Sequence, residues 1–452
     1  MPDQLEHPVE VKEQIELGER AWPLYNLAKI AGFIGIIGSV ALGYFIDHAF
    51  RRFYFAYLIS FMFFLSVALG GLAFVLVQHL TRAGWSSSVR RTGESLAATV
   101  PIMLALSAPI LISVLLNRGD LYRWAQPAAH ANEAHHTDEA PAHKTSEPLA
   151  AKEQSEGNAH PSANGVQPLD HLTLEKTAVL NRWFFTARIV LYFAIWIGLA
   201  WWYWLKSTQQ DRTGDFELTN KMQTFAAPAV LLLVVSVTFA SFDLLMSLDP
   251  HWFSTIFGIY FLAGCMLAGF ATIILVLTVL QRLGYLGATV SIEHYHDLGK
   301  WLFGFTFFWG YIAFSQYMLL WYSNIPEETE WLSHRGATTA RAAINGWSWV
   351  SVALLFGKLL IPFAGLLSRH IKRQTGVLAF WAAWILVFHW VDLFWVAMPE
   401  LDGRFHLGLI ELLCFVGIGG IFMATHLRLM AKHPLRPLHD PRLAESVAFQ
   451  NV

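Results

Sequence analysis

Stretches long and apolar enough to cross a bilayer recur along the whole chain, and they leave few folds open. A helix needs about 20 apolar residues to cross the hydrocarbon core. Ten runs meet that length, at 25–46, 53–79, 95–116, 182–205, 223–246, 252–282, 298–322, 342–368, 377–398 and 405–430. None alternates apolar and polar residues as a membrane strand does, so the pattern predicts helices and not a barrel. The expected fold is all-α, a polytopic membrane protein of about ten transmembrane helices. Only 14% of the residues are charged, against about 25% in soluble domains.

With a formal net charge of −2, no nucleic-acid footprint is visible. Cys265 and Cys414 each lie inside an apolar run. Neither a disulfide framework, nor a CxxCH haem attachment, nor a cysteine-ligated iron–sulfur cluster is therefore expected. The first 22 residues are polar and acidic without a basic start and a short apolar core, so a signal peptide is not expected there.

Ten spans place both termini on one side. The terminus-side segments carry most of the cations, among them Lys12, Arg20, Arg90, Arg91, Lys206, Arg212, Arg369, Arg428 and Arg442. The short loops opposite carry only Arg51, Arg52, Arg335, Arg341 and Arg404. The positive-inside rule then predicts cytoplasmic termini. The organisation reads as a cytoplasmic segment (1–24), three spans (25–116), a periplasmic loop (117–181), seven spans (182–430) and a cytoplasmic tail (431–452). The loop is rich in Ala, Glu, His, Pro and Ser. Such a composition buries too little apolar surface to offset chain entropy, so flexibility is expected. His130, His135, His136 and His143 give it no fixed ligand geometry, and no metal site is expected. No other loop is long enough to house a redox or nucleotide domain.

Ionisable groups inside spans are informative because each costs on the order of 3 kcal/mol at a helix centre. Asp243 follows "LLLVVSVTFASF" and sits in the last turn of its helix, where the helix dipole disfavours an anion. It is expected to carry a proton or to pair with a cation such as Arg188. Asp249 precedes Pro250, an ordinary helix start, and His251 follows at the interface. His389 and Asp392 are three apart and share a helix face, which suits a proton relay. Lys358 and Glu411, both within apolar runs, extend that idea. Glu94 opens the third span, where a carboxylate suits the helix end. Asp297 and Lys300 read as a cap and a snorkelling lysine. Haem ligation by His389 is not expected, because no second histidine lies at similar depth.

The motifs "FDLLMSLDPHWFSTIFGIYF" and "HDLGKWLFGFTFFWGYIAFSQYMLLWYSNIPEETEW" resemble the ActC and ActF family, the NrfD-like integral membrane subunits of bacterial alternative complex III. The likeness runs through nearly all ten spans and stops at the His-rich loop. It implies a fold with two four-helix bundles and a place in a quinol:cytochrome c or quinol:oxidase electron-transfer complex of the bacterial inner membrane. It implies partner subunits carrying iron–sulfur clusters and c-type haems, an ActC-like paralogue and a terminal oxidase, with quinol or lipid as the non-covalent ligand. An ActF-like chain would supply a proton pathway and energy coupling, not redox centres, and would not be catalytic alone. By that likeness Asp243, Asp249, His251, His389 and Asp392 form an outer polar cluster, and Glu94, Asp297, Lys300 and Lys358 an inner half-channel. A quinol-oxidising subunit like ActC and a plain scaffold are the competing expectations. An independent transporter is disfavoured, since no pair of Gly/Pro-broken spans occupies matching halves.

Overall fold

The computed structural model describes residues 14–46, 50–126, 175–337, 344–401, 403 and 405–450. The histidines of the loop (His130, His135, His136, His143) lie outside the described residues, as do Lys12, His48, Arg341 and Arg404. Among the described residues the regular structure is helical, and nine helices are long and apolar enough to span a membrane. The chain is an all-α, multi-pass membrane protein.

The spans begin with α1 (Trp22–Ile46) and α2 (Arg51–Leu80). The third span is broken into α3 (Ser87–Ala97), α4 (Val100–Leu106) and α5 (Ala108–Leu115). Pro101 and Pro109 lack the N–H groups that would bond the Ala97 and Ala105 carbonyls, and each falls just inside a new segment. Then come α6 (Arg182–Thr213), α7 (Glu217–Leu244), α8 (Phe257–Arg282) and α9 (Ile292–Ser323). A short α10 (Pro326–His334) precedes α11 (Gly346–Leu354), which runs through a π-helical turn (Leu355–Leu360) into α12 (Ile361–Leu367). After α13 (Arg369–Arg373) follow α14 (Thr375–Ala397), α15 (Leu409–Lys432) and a terminal α16 (Leu443–Val447). The expected span at 298–322 lies in α9, which is not among the nine most apolar helices. Its Trp, Tyr, Gly and Gln316 dilute the apolar average, yet its 32 residues reach about 48 Å at 1.5 Å each.

Two expected helix starts move. Helical structure in the third span begins at Gly84 and not near 95, so Glu94 stands inside α3 and answers to side-chain partners instead of the dipole. Likewise α8 begins at Phe257, seven or more residues beyond Asp249-Pro250. Asp249 instead closes a 3-10 turn (Met246–Leu248), and its Oδ1 accepts from the His251 N–H at 3.0 Å.

Helix α2 is the hub: its apolar window is wholly buried, whereas α1 leaves most of its surface to lipid. It packs on α3, α8, α14 and α15. The α2–α8 contact requires glycines. A Cβ on Gly70 would lie 2.0 Å from the Cys265 carbonyl oxygen, and one on Gly269 2.5 Å from the Gly70 backbone. Small residues let backbones approach where lipid offers no hydrophobic drive for association.

Both described ends of the chain gather on one face. The Leu435 N–H donates to the Ile15 carbonyl at 2.8 Å, and the Leu438 N–H to Asp211 at 2.9 Å at the end of α6. This is the termini face. At the far face the Trp124 indole donates to the Ser247 carbonyl at 3.1 Å.

Candidate functional site

A lysine with no exposed surface is the hub of a buried polar network. Lys358 stands in the π-helical turn of the eighth span, and its Nζ donates to Asp392 Oδ2 at 2.6 Å. The same Nζ lies 3.2 Å from His389 Nδ1, and His389 Nε2 lies 2.8 Å from Ser66 Oγ on α2. Tyr260, in the first turn of α8, donates its hydroxyl to Asp392 Oδ1. The Trp309 ring of α9 lies 4.2 Å from Nζ. Five helical segments thus converge on one ammonium. Burying it costs several kcal/mol, which the carboxylate, the imidazole and the indole face offset together.

The bonding order assigns the tautomer. Lys358 has only donors, so His389 Nδ1 accepts, Nε2–H donates to Ser66, and Ser66 donates to the Phe63 carbonyl at 2.6 Å. The result is a continuous string Tyr260–Asp392–Lys358–His389–Ser66. Its local cause is legible: Pro362 has no N–H to return to the Lys358 carbonyl four residues back, and its ring crowds that carbonyl. The helix widens to π geometry there, a feature common at functional sites. The Trp384 indole donates to the Gly357 carbonyl at 2.7 Å in the same turn. His389 also needs Gly264, where a Cβ would meet the ring at 2.8 Å.

Toward the far face stands a second buried cation, Arg335. Tyr260 lies within the field of Arg335, which in turn feels Glu400 and Asp249. Arg335 donates to Glu400 at 2.9 Å and to the Val396 carbonyl at 2.6 Å, with its guanidinium 3.6 Å from the Trp331 ring. Burial draws Arg335 below the ordinary arginine value, and Glu400 opposes that shift.

A second polar group lies at the termini face. Arg90 pairs with Glu94 at 3.3 Å and with Asp440 of the tail; Arg91 pairs with Glu94 at 3.3 Å and with Asp211. Both amide atoms of Gln78, His79 Nε2 and both ring nitrogens of His426 are buried without a protein hydrogen-bond partner. Polar groups in that state are met by buried water. Burial pushes Asp440 up, but Arg90 outweighs it and holds the carboxyl below its ordinary value. From Gln78 to Ser66 the twelve intervening helical steps of α2 span about 18 Å. The side chains between them, such as Leu69, Leu72 and Phe74, are apolar and buried.

The expected groupings are rearranged. Lys358 does not belong with Glu94, Asp297 and Lys300; it joins His389 and Asp392, because the π turn carries it to the face that α14 presents. Asp243 stands apart from them. Arg188 grips it with two bonds of 2.8 and 2.6 Å, and Tyr192 adds a third at 2.9 Å. That makes it a clamp between α6 and α7. Asp249 and His251 pair with each other at 3.4 Å. Glu411 pairs with Arg52 at 2.8 Å and caps α15 through the Gly408 N–H, also at 2.8 Å. Asp297 and Lys300 meet at 2.5 Å in α9, but the cap of that helix is Ser291, so Asp297 is not one.

Ser66, Tyr260 and Trp309 were not singled out by sequence. The signal was weak: a serine in "FFLSVALGG" and aromatic residues among many others. Arg90, Arg91, Asp211 and Asp440 could not be grouped either, since the Arg91–Asp211 and Arg90–Asp440 pairs span 120 and 350 positions. Neither a known family model nor a curated protein matches the chain.

Proposed function

We propose that this chain is the proton-handling membrane core of a quinol-oxidising electron-transfer complex of the alternative complex III type. The observation that carries this reading is the string of Lys358, Asp392 and His389, hydrogen-bonded to one another and buried inside a membrane protein. A network of ionisable groups at that depth is expensive, and proton relays are a recurring reason for one. A proton moved from Lys358 to Asp392 across a 2.6 Å bond neutralises both partners at once. Lys358 is then a free amine. It is refilled when His389, in the tautomer with its proton on Nδ1, passes that proton to Nζ while Nε2 accepts one from the Ser66 hydroxyl, whose own proton is replaced from the termini side.

The quinol class of the complex rests on the resemblance of the two long motifs. By that resemblance the iron–sulfur and c-type haem centres belong to partner subunits. The excess of terminus-side cations supports cytoplasmic termini in a bacterial inner membrane, with the far face periplasmic. Protons would then leave through Tyr260, Arg335 and Glu400, and the apolar stretch of α2 between Ser66 and Gln78 would be the barrier on the cytoplasmic side.

The test is Asp392→Asn in the assembled complex, reconstituted in vesicles with quinol and cytochrome c. Quinol oxidation is expected to continue while protons moved per electron fall. An unchanged ratio would remove the proton reading and leave a scaffold. Loss of quinol oxidation itself would place quinol chemistry in this subunit.

A further inference from the structure

A cleft of about 1,270 Å³ opens between α1, α4, α6 and α15, remote from the Lys358 string. Its lining is graded along the membrane normal. On α6 one stripe runs Trp201, Leu205, Thr208, Arg212; on α15 a matching stripe runs Ile421, Thr425, Arg428, Lys432. Both follow the i, i+4, i+7, i+11 spacing of one helix face, and eleven residues rise about 16 Å. The core end of each stripe is apolar and the end at the termini face is cationic. Lys29 and Lys206 bring the cations of the mouth to five, and no carboxylate lines the cleft. Among the described residues none of the five pairs with an acid: Lys206 meets only the Gln209 amide at 3.4 Å, and Lys29 the Tyr25 ring at 5.3 Å.

A site built this way selects an amphiphile with an anionic head. We propose that the cleft binds an anionic phospholipid, its phosphate among Arg212, Arg428 and Lys432 and an acyl chain along Trp201, Leu205 and Ile421. A neutral quinone would leave the cations unused, and a partner helix would need acidic residues at one end to match them. The volume exceeds the roughly 300–1,000 Å³ of ordinary small-molecule pockets, as a two-chain lipid requires. Basic clefts between membrane helices bind lipid phosphates by this chemistry.

Native mass spectrometry of the purified full chain, titrated with phosphatidylglycerol and with phosphatidylcholine, tests the assignment. The expected result is one retained phosphatidylglycerol, held more tightly than phosphatidylcholine by about fivefold for each cation that meets the phosphate. Arg212→Gln with Arg428→Gln should erase about 30-fold of that preference. Arg212→Lys with Arg428→Lys should keep most of it, and Lys221→Gln, a cation of the same face outside the cleft, should leave it intact. Because the lysine pair preserves charge, it reports binding even if the glutamine pair folds poorly. Inorganic phosphate at millimolar concentration should not displace the lipid, since the apolar wall holds the chains. Equal retention of the two lipids, displacement by phosphate alone, or an undiminished preference in a folded glutamine pair would overturn the proposal.

Discussion

Cutting the Lys358–Asp392 pair from one side and then from both is the sharpest test of the buried string. The two side chains are 0% and 3% exposed and meet at 2.6 Å. At an effective dielectric of about 20 that separation is worth on the order of 6 kcal/mol of attraction. Desolvating each ion costs several kcal/mol, so the net worth of the pair against an apolar substitute is small. One-sided loss is a different matter, because it strands a buried charge. Lys358→Met leaves Asp392 with only Tyr260; Asp392→Leu leaves the ammonium with His389 and the Trp309 face. Each single change is expected to cost about 3–5 kcal/mol, whereas the double variant should cost under about 2. The coupling is then about 4 kcal/mol or more, well beyond the additivity limit of about 0.5. Unfolding in mixed micelles by sodium dodecyl sulfate, followed by tryptophan fluorescence, measures all three. Singles that add to the double would mean the two groups do not share one charge-compensated site, and the string would lose its centre.

Asp243→Asn is expected to weaken the α6–α7 clamp by roughly 1–3 kcal/mol, read in the same micelle titration, and to leave protons moved per electron unchanged. A fall in that ratio would return Asp243 to the proton path. The tail should respond to acid through Asp440. Its carboxyl is held below the ordinary value of 3.8 by Arg90, so its contribution is complete above that pH and is lost as pH falls below it through the depressed value. Protease cutting within 433–447 should therefore stay slow from neutral pH down to about 4 and rise in stronger acid. Asp440→Asn should show fast cutting already at neutral pH.

The legible part of this fold was whatever rests on local chemistry. Apolar runs placed most span ends to within about a turn, because a helix in lipid must satisfy its own backbone. The His389–Asp392 pairing followed from a three-residue spacing on one helix. Lys358, an ionisable group in an apolar run that reads as an extension of the His389–Asp392 relay, does stand against both residues; the inner grouping with Glu94, Asp297 and Lys300 that the resemblance implies does not hold it. Which face of its helix it occupies is not legible locally, because the π turn after Leu354 departs from 3.6 residues per turn. Asp249-Pro250 misled for the opposite reason: the dipeptide suits a helix start, but the Asx turn on His251 offers the same carboxylate a competing local bond. Glu94 shows the limit of dipole reasoning, since Arg90 and Arg91 neutralise it and let the helix begin two turns earlier. The sheath of long-range pairs at the termini face had no local signal at all.

The cause of the π turn can be separated from its maintenance. Pro362 forbids the α-helical bond to the Lys358 carbonyl, so a change to alanine would restore one backbone hydrogen bond, a net gain of about 0.5–1.5 kcal/mol. Closing the turn would also rotate Lys358 away from α14 and break a buried pair, a loss of about 3–5 kcal/mol. The pair is the larger quantity. Pro362→Ala is therefore expected to retain the wide turn, the 3.2 Å approach of Lys358 to His389 and proton coupling, with stability shifted by less than about 1 kcal/mol. Adding Lys358→Met removes the opposing term, and in that double variant the segment should relax to a continuous α-helix. A structure of each variant by electron cryo-microscopy would show the turn directly, alongside the proton-to-electron ratio of the single one. If Pro362→Ala alone closed the turn and uncoupled the protein, the proline would be what positions Lys358, and the buried pair would be worth less than a single backbone bond.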